Sequence, residues 1–273
     1  MTDVDLWNRE IELKIGDLLI TNDQLDIDFS IKAGNSSDAN TAEISVWNLA
    51  AATKAAIKSD QKVRLKAGHT GDNGEIFIGI VKKSWDERDQ GDIRTRITAL
   101  NQVYATGKPS VVYRKGAGLS TIIADAFNAS EIPIGKINDQ GFVLEEDFTS
   151  DPSAFTNLGY CQKKINGSDK THKEAKFYVE GGKGYFVTVD FFGRGEKIVL
   201  SCETGLSETV PEEPDDGSYS RSIVSLLKWP VTTDSVIELK SLSPGASGTY
   251  KVVEYTHTCD ATEYQTEMKV KPL

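Results

Sequence analysis

Cysteine and histidine are both scarce. The 273 residues hold three cysteines, Cys161, Cys202 and Cys259, and three histidines, His69, His172 and His257. The cysteines lie far apart, are odd in number and include no C-x-x-C spacing. That argues against a zinc site and a disulfide framework, and reduced thiols are the simplest reading. The histidines fall on three separate segments, so no HExxH, HxH or Ser-His-Asp grouping is readable. They read as surface or packing residues, although a triad assembled from distant segments stays open at this level. No apolar run approaches the ~20 residues of a membrane span. The opening MTDVDLWNRE is acidic and has no apolar signal core, so synthesis in the cytosol is the expectation. Positive charge is not in excess either. The formal net charge of -10 argues against a general phosphate-backbone binder, which needs clustered Lys and Arg. The acidity reads first as a solubility feature.

Chemistry-bearing motifs are equally thin. Aromatic residues make up 8%, with Trp7, Trp47, Trp85 and Trp229 scattered, so no glycosidase-like cleft of acids among aromatics is visible. The segment Asp86 to Asp92 (DERDQGD) superficially resembles a calcium loop, but it lacks the twelve-residue length and the final bidentate Glu. Gly181-Gly182-Lys183-Gly184 is no P-loop, because it joins two strand patterns and lacks the K-[ST] ending. Catalytic, cofactor-binding and metal-binding residues are therefore all expected to be none, no cofactor is expected, and the chain is read as not an enzyme.

What is present is strand periodicity. The stretch Thr41 to Asn101 organises the chain. Ala42, Ile44 and Val46 alternate with Glu43, Ser45 and Trp47, which predicts a strand. Asn48 stands where an N-cap would, ahead of a short helix over Ala50 to Ile57. Val63 and Leu65, then Ile76, Ile78 and Ile80, then Ile93, Ile97 and Ala99 resume the period of two, with polar turns at His69 to Gly74 and Asp86 to Asp92. Upstream, Ile11, Leu13 and Ile15 predict one strand, and Leu25, Ile27, Phe29 and Ile31 another. About six strands at regular spacing imply a small antiparallel barrel or sandwich.

The middle of the chain changes character. Leu119, Ile122, Ile123, Ala126 and Phe127 fall at helical spacing, with Ser120 near the start. Ser150 or Asp151 is the expected cap of a second helix, with Pro152 at its first position and Phe155, Leu158, Cys161 and Ile165 as its apolar stripe. Lys176 to Glu180 and Tyr185 to Phe191 flank the Gly-rich turn and predict a hairpin. Val210 to Gly217 (VPEEPDDG) is acidic and reads as a linker or exposed loop. Beyond it the pattern is all β, with Val236 to Lys240 and a long hairpin over Tyr250 to Val270. That tail has too few strands for a barrel, and the isolated strand at Val111 to Tyr113 is the candidate to complete it.

Three segments in this order resemble the first barrel of the baseplate hub proteins of contractile phage tails and phage-tail-like bacteriocins: NTAEISVWNL before a short helix, then VRLKAGH, then EIFIGIV. GAGLSTIIADAFNAS, DPSAFTNLGYCQKKIN, FYVEGGKGYFVTV and the closing GTYKVVEYTHTCDATEYQTEMKVKP extend the resemblance over most of the chain. It implies a mainly β fold with an α+β insertion: two small β-barrels of hub type with a helix-containing middle domain. The implied division is 1–105 for the first barrel, 106–115 for the first strand of the second, 116–218 for the insertion and 219–273 for the rest of the second barrel. The implied role is a homotrimeric ring joining a sixfold tail tube to a threefold central spike, assembled in the host cytoplasm. Implied partners are further copies of itself, the tube or tube-initiator protein, the spike, and in some assemblies a tape-measure protein and baseplate wedge. Neither specific nucleic-acid binding nor membrane insertion is expected. The acidic surface is expected to line the central channel. Exposed barrel edges and loops such as His69 to Gly74 are the expected contact points. A tail-associated peptidoglycan-binding or cell-wall-degrading component is the alternative. A free-standing carbohydrate-binding module is a third reading.

Overall fold

A computed structural model describes residues 5–34, 40–89, 91–101, 109–168, 171–191, 197–212, 217 and 219–273. The chain forms two compact units. Met1–Gly34, Asn40–Leu100 and Phe192–Leu273 make one, and Asn35–Ala39 with Asn101–Phe191 make the other.

The first unit begins with β1 (Asp5–Ile15), β2 (Leu18–Thr21), β3 (Ile27–Gly34), β4 (Thr41–Trp47), α1 (Ala51–Ala56), β5 (Lys62–Thr70), β6 (Asp72–Asp89) and β7 (Asp92–Leu100). The second unit holds β8 (Val112–Tyr113), α2 (Leu119–Ala129), β9 (Ile134–Ile137), β10 (Phe148–Thr149), α3 (Ala154–Asn166), β11 (Ala175–Glu180) and β12 (Lys183–Thr188). The chain then returns to the first unit through β13 (Ile198–Leu200), β14 (Leu206–Pro211), β15 (Arg221–Leu226), β16 (Val236–Leu239), β17 (Gly248–Cys259) and β18 (Tyr264–Pro272).

Alternation sets the strands of the first unit. Ile27, Phe29 and Ile31 point into the core while Asp28, Ser30 and Lys32 face away, and Ala42, Ile44 and Val46 repeat the pattern on β4. Thirteen strands of this unit form one sheet, whose main path runs β14-β15-β18-β17-β3-β4-β7-β6-β5-β1-β2, with β16 on β17 and β13 on β16. Strand β3 is the pivot, because it pairs with β4 on one edge and β17 on the other. The sheet carries two apolar cores. One gathers Leu13, Ile44, Leu65 and Ile97 from β1, β4, β5 and β7, with Leu227 and Tyr264 from the C-terminal part. The other gathers Leu200, Ile237, Val252 and Met268. Among the described residues the ladder runs open from β14 to β2, so the cores rather than a closed ladder hold each half together.

The hairpin turns are tighter than their composition suggests. His69 pairs with Asp72, leaving only Thr70 and Gly71, and Gly71 takes the left-handed conformation (φ 80°) that the turn needs. His69 is therefore a strand residue rather than part of an exposed loop. Asn48 is not a helix cap. It takes a left-handed conformation itself, and its side chain accepts from the Ile93 amide at 3.1 Å and donates to Asp92 at 3.1 Å. Helix α1 starts after Ala50 with no side-chain cap.

In the second unit α2 and α3 pack over one face of the β11-β12-β9 sheet. Phe127, Leu158, Cys161, Phe177 and Phe186 share its core. The α3 cap is Ser153, whose hydroxyl accepts from the Thr156 amide, rather than Ser150 or Asp151. Asp151 instead accepts from the Ser153 amide at 2.8 Å and shapes the turn before the helix. Only Gly181 and Gly182 form the hairpin turn, both at positive φ, while Gly184 lies within β12. A Cβ on Gly184 would stand inside the van der Waals surface of the Phe127 ring. Gly184→Ala is expected to destabilise this unit by about 1–3 kcal/mol through overpacking, read as a lower urea midpoint. An unchanged midpoint would show that the contact is soft.

Two expected boundaries move. β8 does not complete a second barrel. It pairs with β10, and Tyr113 is buried in the core of the second unit with its hydroxyl donating to Asp125 at 2.7 Å. The insertion ends near Phe191 rather than at 218, because β13 and β14 pair with β16 and β15 in the first unit. Val210 and Pro211, expected in a linker or exposed loop, are the end of β14. Residues 213–216 of that segment lie outside the described residues.

Candidate functional site

The polar positions of the long sheet share one face. Cross-strand register places Thr258, Ser30, Glu43, Thr98 and Lys83 in one row over β17-β3-β4-β7-β6, and Asp28, Ser45, Arg96 and Trp85 in the next. On the C-terminal side Glu254, Thr256 and Thr258 continue this face, paired with Lys269, Glu267 and Gln265 on β18.

Acids and bases interleave along this face. Trp47 Nε1 donates to Asp28 at 2.9 Å, and the Arg94 guanidinium lies 5.2 Å over the Trp47 ring and 3.5 Å from the same carboxylate. Arg96 lies 3.3 Å from Glu87, which also accepts from Trp85 Nε1 at 2.8 Å. Lys83 lies 4.8 Å over Trp85, and Lys269 lies 3.7 Å from Glu254. Each exposed pair contributes at most about 1 kcal/mol, so the effect of the set is to fix the surface rather than to stabilise the fold. Asp28, Glu43, Trp85, Arg94, Arg96 and Asp260 line a depression of about 400 Å³. Trp and Arg on a rigid strand surface suit protein contact, since these residues dominate interface energetics.

The histidines sit apart from this face. His69 is buried edge-on against Tyr264 at 5.3 Å. Burial, and then the charge of Lys228, lower its pKa, against the opposing effects of Asp72 and the Leu227 backbone. His257 is fully buried, with Nδ1 2.8 Å from the Thr266 hydroxyl, and burial pushes its pKa down to about 3. His172 is exposed and packs on Phe142. Burial raises the Cys161 and Cys259 thiols to about 12, which removes thiolate character at neutral pH, while Cys202 is exposed. Among the described residues no group of three or more His, Cys, Asp or Glu is placed to hold a metal ion, and no helix is long and apolar enough to cross a membrane. The row of polar residues was legible as alternation. Its assembly from separate strands was not, because register is a tertiary property.

No protein-family model and no curated protein matches the sequence. Solved structures do match the fold. The 43 kDa tail protein of prophage MuSo2 from Shewanella oneidensis superposes with a TM-score of 0.67 at 10% identity, covering 97% of each chain. A tail protein from Neisseria meningitidis MC58 gives 0.67 at 9% identity, again over 97% of each chain. The E. coli c3393 protein, a type VI secretion component described as similar to the T4 tail proteins gp27 and gp5, gives 0.61 at 10% identity, over 96% of this chain and 76% of that one. The chain therefore has the fold of phage tail proteins. The mainly β class with a helix-containing unit agrees with the expectation from sequence.

Proposed function

We propose that the chain is a structural hub of a phage-type tail, three copies of which form a ring between the tail tube and the central spike. The observation that carries this reading is the fold match over 97% of both chains to two tail proteins. Two apolar cores on one continuous sheet support it, since three chains would then present six related units to a sixfold tube. In this reading the polar sheet face lines the passage. Its wall is then mixed in sign rather than acidic, because Arg94, Arg96 and Lys269 interleave with Asp28, Glu87 and Glu254. The work required of such a chain is interface formation, not catalysis.

The test is the mass of the purified protein by light scattering, with negative-stain images. A three-chain ring with a central hole supports the hub. A stable monomer that binds peptidoglycan in a pulldown overturns it in favour of a cell-wall-binding tail component. For the wall, Glu43→Lys with Glu254→Lys and Glu267→Lys is expected to slow DNA ejection from assembled particles. Ejection at the parental rate would remove this face from the passage.

A further inference from the structure

The segment Leu227–Val231 leaves β15 and crosses from one apolar core of the first unit to the other. Leu227 is buried in the first core and Val231 in the second, and Trp229 packs against the first. The segment is pinned at three points. The Leu227 amide donates to the Tyr264 carbonyl at 3.0 Å, the Lys228 amide to the Thr266 hydroxyl at 2.9 Å, and Trp229 Nε1 to Asp72 at 2.6 Å.

A buried histidine stands at each end. His69 packs against Tyr264, and burial outweighs the Leu227 backbone, which favours its charged form. Lys228, Arg9 and Asp72 are the charged groups that face it, and Tyr264 is held by hydrogen bonds to the Gly68 amide and carbonyl. At the other end burial lowers the His257 pKa and outweighs the Val231 backbone, which raises it; the Tyr255 ring lies 4.8 Å away and, among the described residues, no charged group acts on the imidazole. Its Nδ1 meets the same Thr266 hydroxyl that accepts from Lys228. A neutral Nδ1 accepts the Thr266 proton and leaves the oxygen lone pairs for the Lys228 amide. A protonated Nδ1 becomes a donor and leaves the Thr266 proton without this acceptor.

We propose that Leu227–Val231 is an acid-released strap between the two cores. Closed, it needs both imidazoles neutral. Opened, each regains an ordinary pKa of about 6.5. Linkage then raises the opening constant about tenfold per pH unit below about 6.5 through His257, and His69 acts in the same direction. The β3–β17 ladder keeps the halves joined when the strap opens.

Amide hydrogen exchange on the full chain tests this between about pH 7.5 and 5, above the ordinary carboxylate range, with intrinsic rates corrected. The opening constant at Leu227 and Lys228 is expected to rise about tenfold per pH unit below about 6.5 and, at every pH, to exceed by at least about tenfold that of the Ile31 and Ala42 amides of the β3–β4 ladder, which open only with the whole unit. His257→Gln, which still accepts the Thr266 proton, is expected to remove about tenfold per unit from the slope. A flat slope at the strap, or opening constants at the strap equal to those of the ladder, overturns the proposal. The wild-type slope decides even if the variant does not fold.

Discussion

Phe127→Ala is expected to destabilise the helix-containing unit by about 3–5 kcal/mol, the range for removing a fully buried phenylalanine. Phe127 is fully buried on α2, and its ring rests on the bare backbone of Gly184 in β12. It thereby joins helix to sheet in a core it shares with Leu158 and Phe186. Neighbouring side chains cannot fill the space from the Gly184 side, because that position has none. Urea denaturation gives the loss, and exchange of the α2 and α3 amides locates it. Phe127→Leu keeps most of the volume and is expected to cost less. A loss below about 1 kcal/mol for the alanine variant would mean that the α2–β12 contact does not hold this unit together.

The first unit is expected to lose stability as pH falls below about 6.5, at roughly 1.4 kcal/mol per pH unit from His257 alone. The sign follows from proton binding. His257 has a folded pKa of about 3, held down by burial. The unfolded chain therefore binds a proton at this position between about 6.5 and 3 and the folded chain does not. The contribution is fully present above the unfolded pKa and is lost as pH drops toward the folded one. His69, also lowered by burial, acts in the same direction. Urea midpoints at about pH 7.5, 6 and 5 measure the slope, and His257→Gln should flatten it. A midpoint that rises on acidification would contradict the burial of a neutral imidazole.

Much of the local structure was legible. Alternation along Ile27 to Ile31 and Ala42 to Val46 marked β3 and β4, because a half-buried strand imposes a period of two on its own residues. The stripe Leu158, Cys161 and Ile165 marked α3 for the equivalent reason. Caps were read less well. Asn48 and Ser150 have the chemistry of a cap, but their side chains are engaged elsewhere: Asn48 on the β6–β7 hairpin and Ser150 on the Val111 amide at 2.8 Å. A polar side chain suits several partners, and only the fold selects one.

Composition and short-range periodicity were enough for the mainly β class and the helical middle, because a half-buried strand or helix writes its period into its own residues. Long-range packing set the pairing of β3 with β17, the return of β13 and β14 to the first sheet, and the reach of Trp229 to Asp72 across 157 positions. It also turned His69 from an apparent turn residue into a buried one. Strand partners are chosen by which apolar faces meet and which edges remain unpaired. That information lies in contacts between distant residues, and no local period records it.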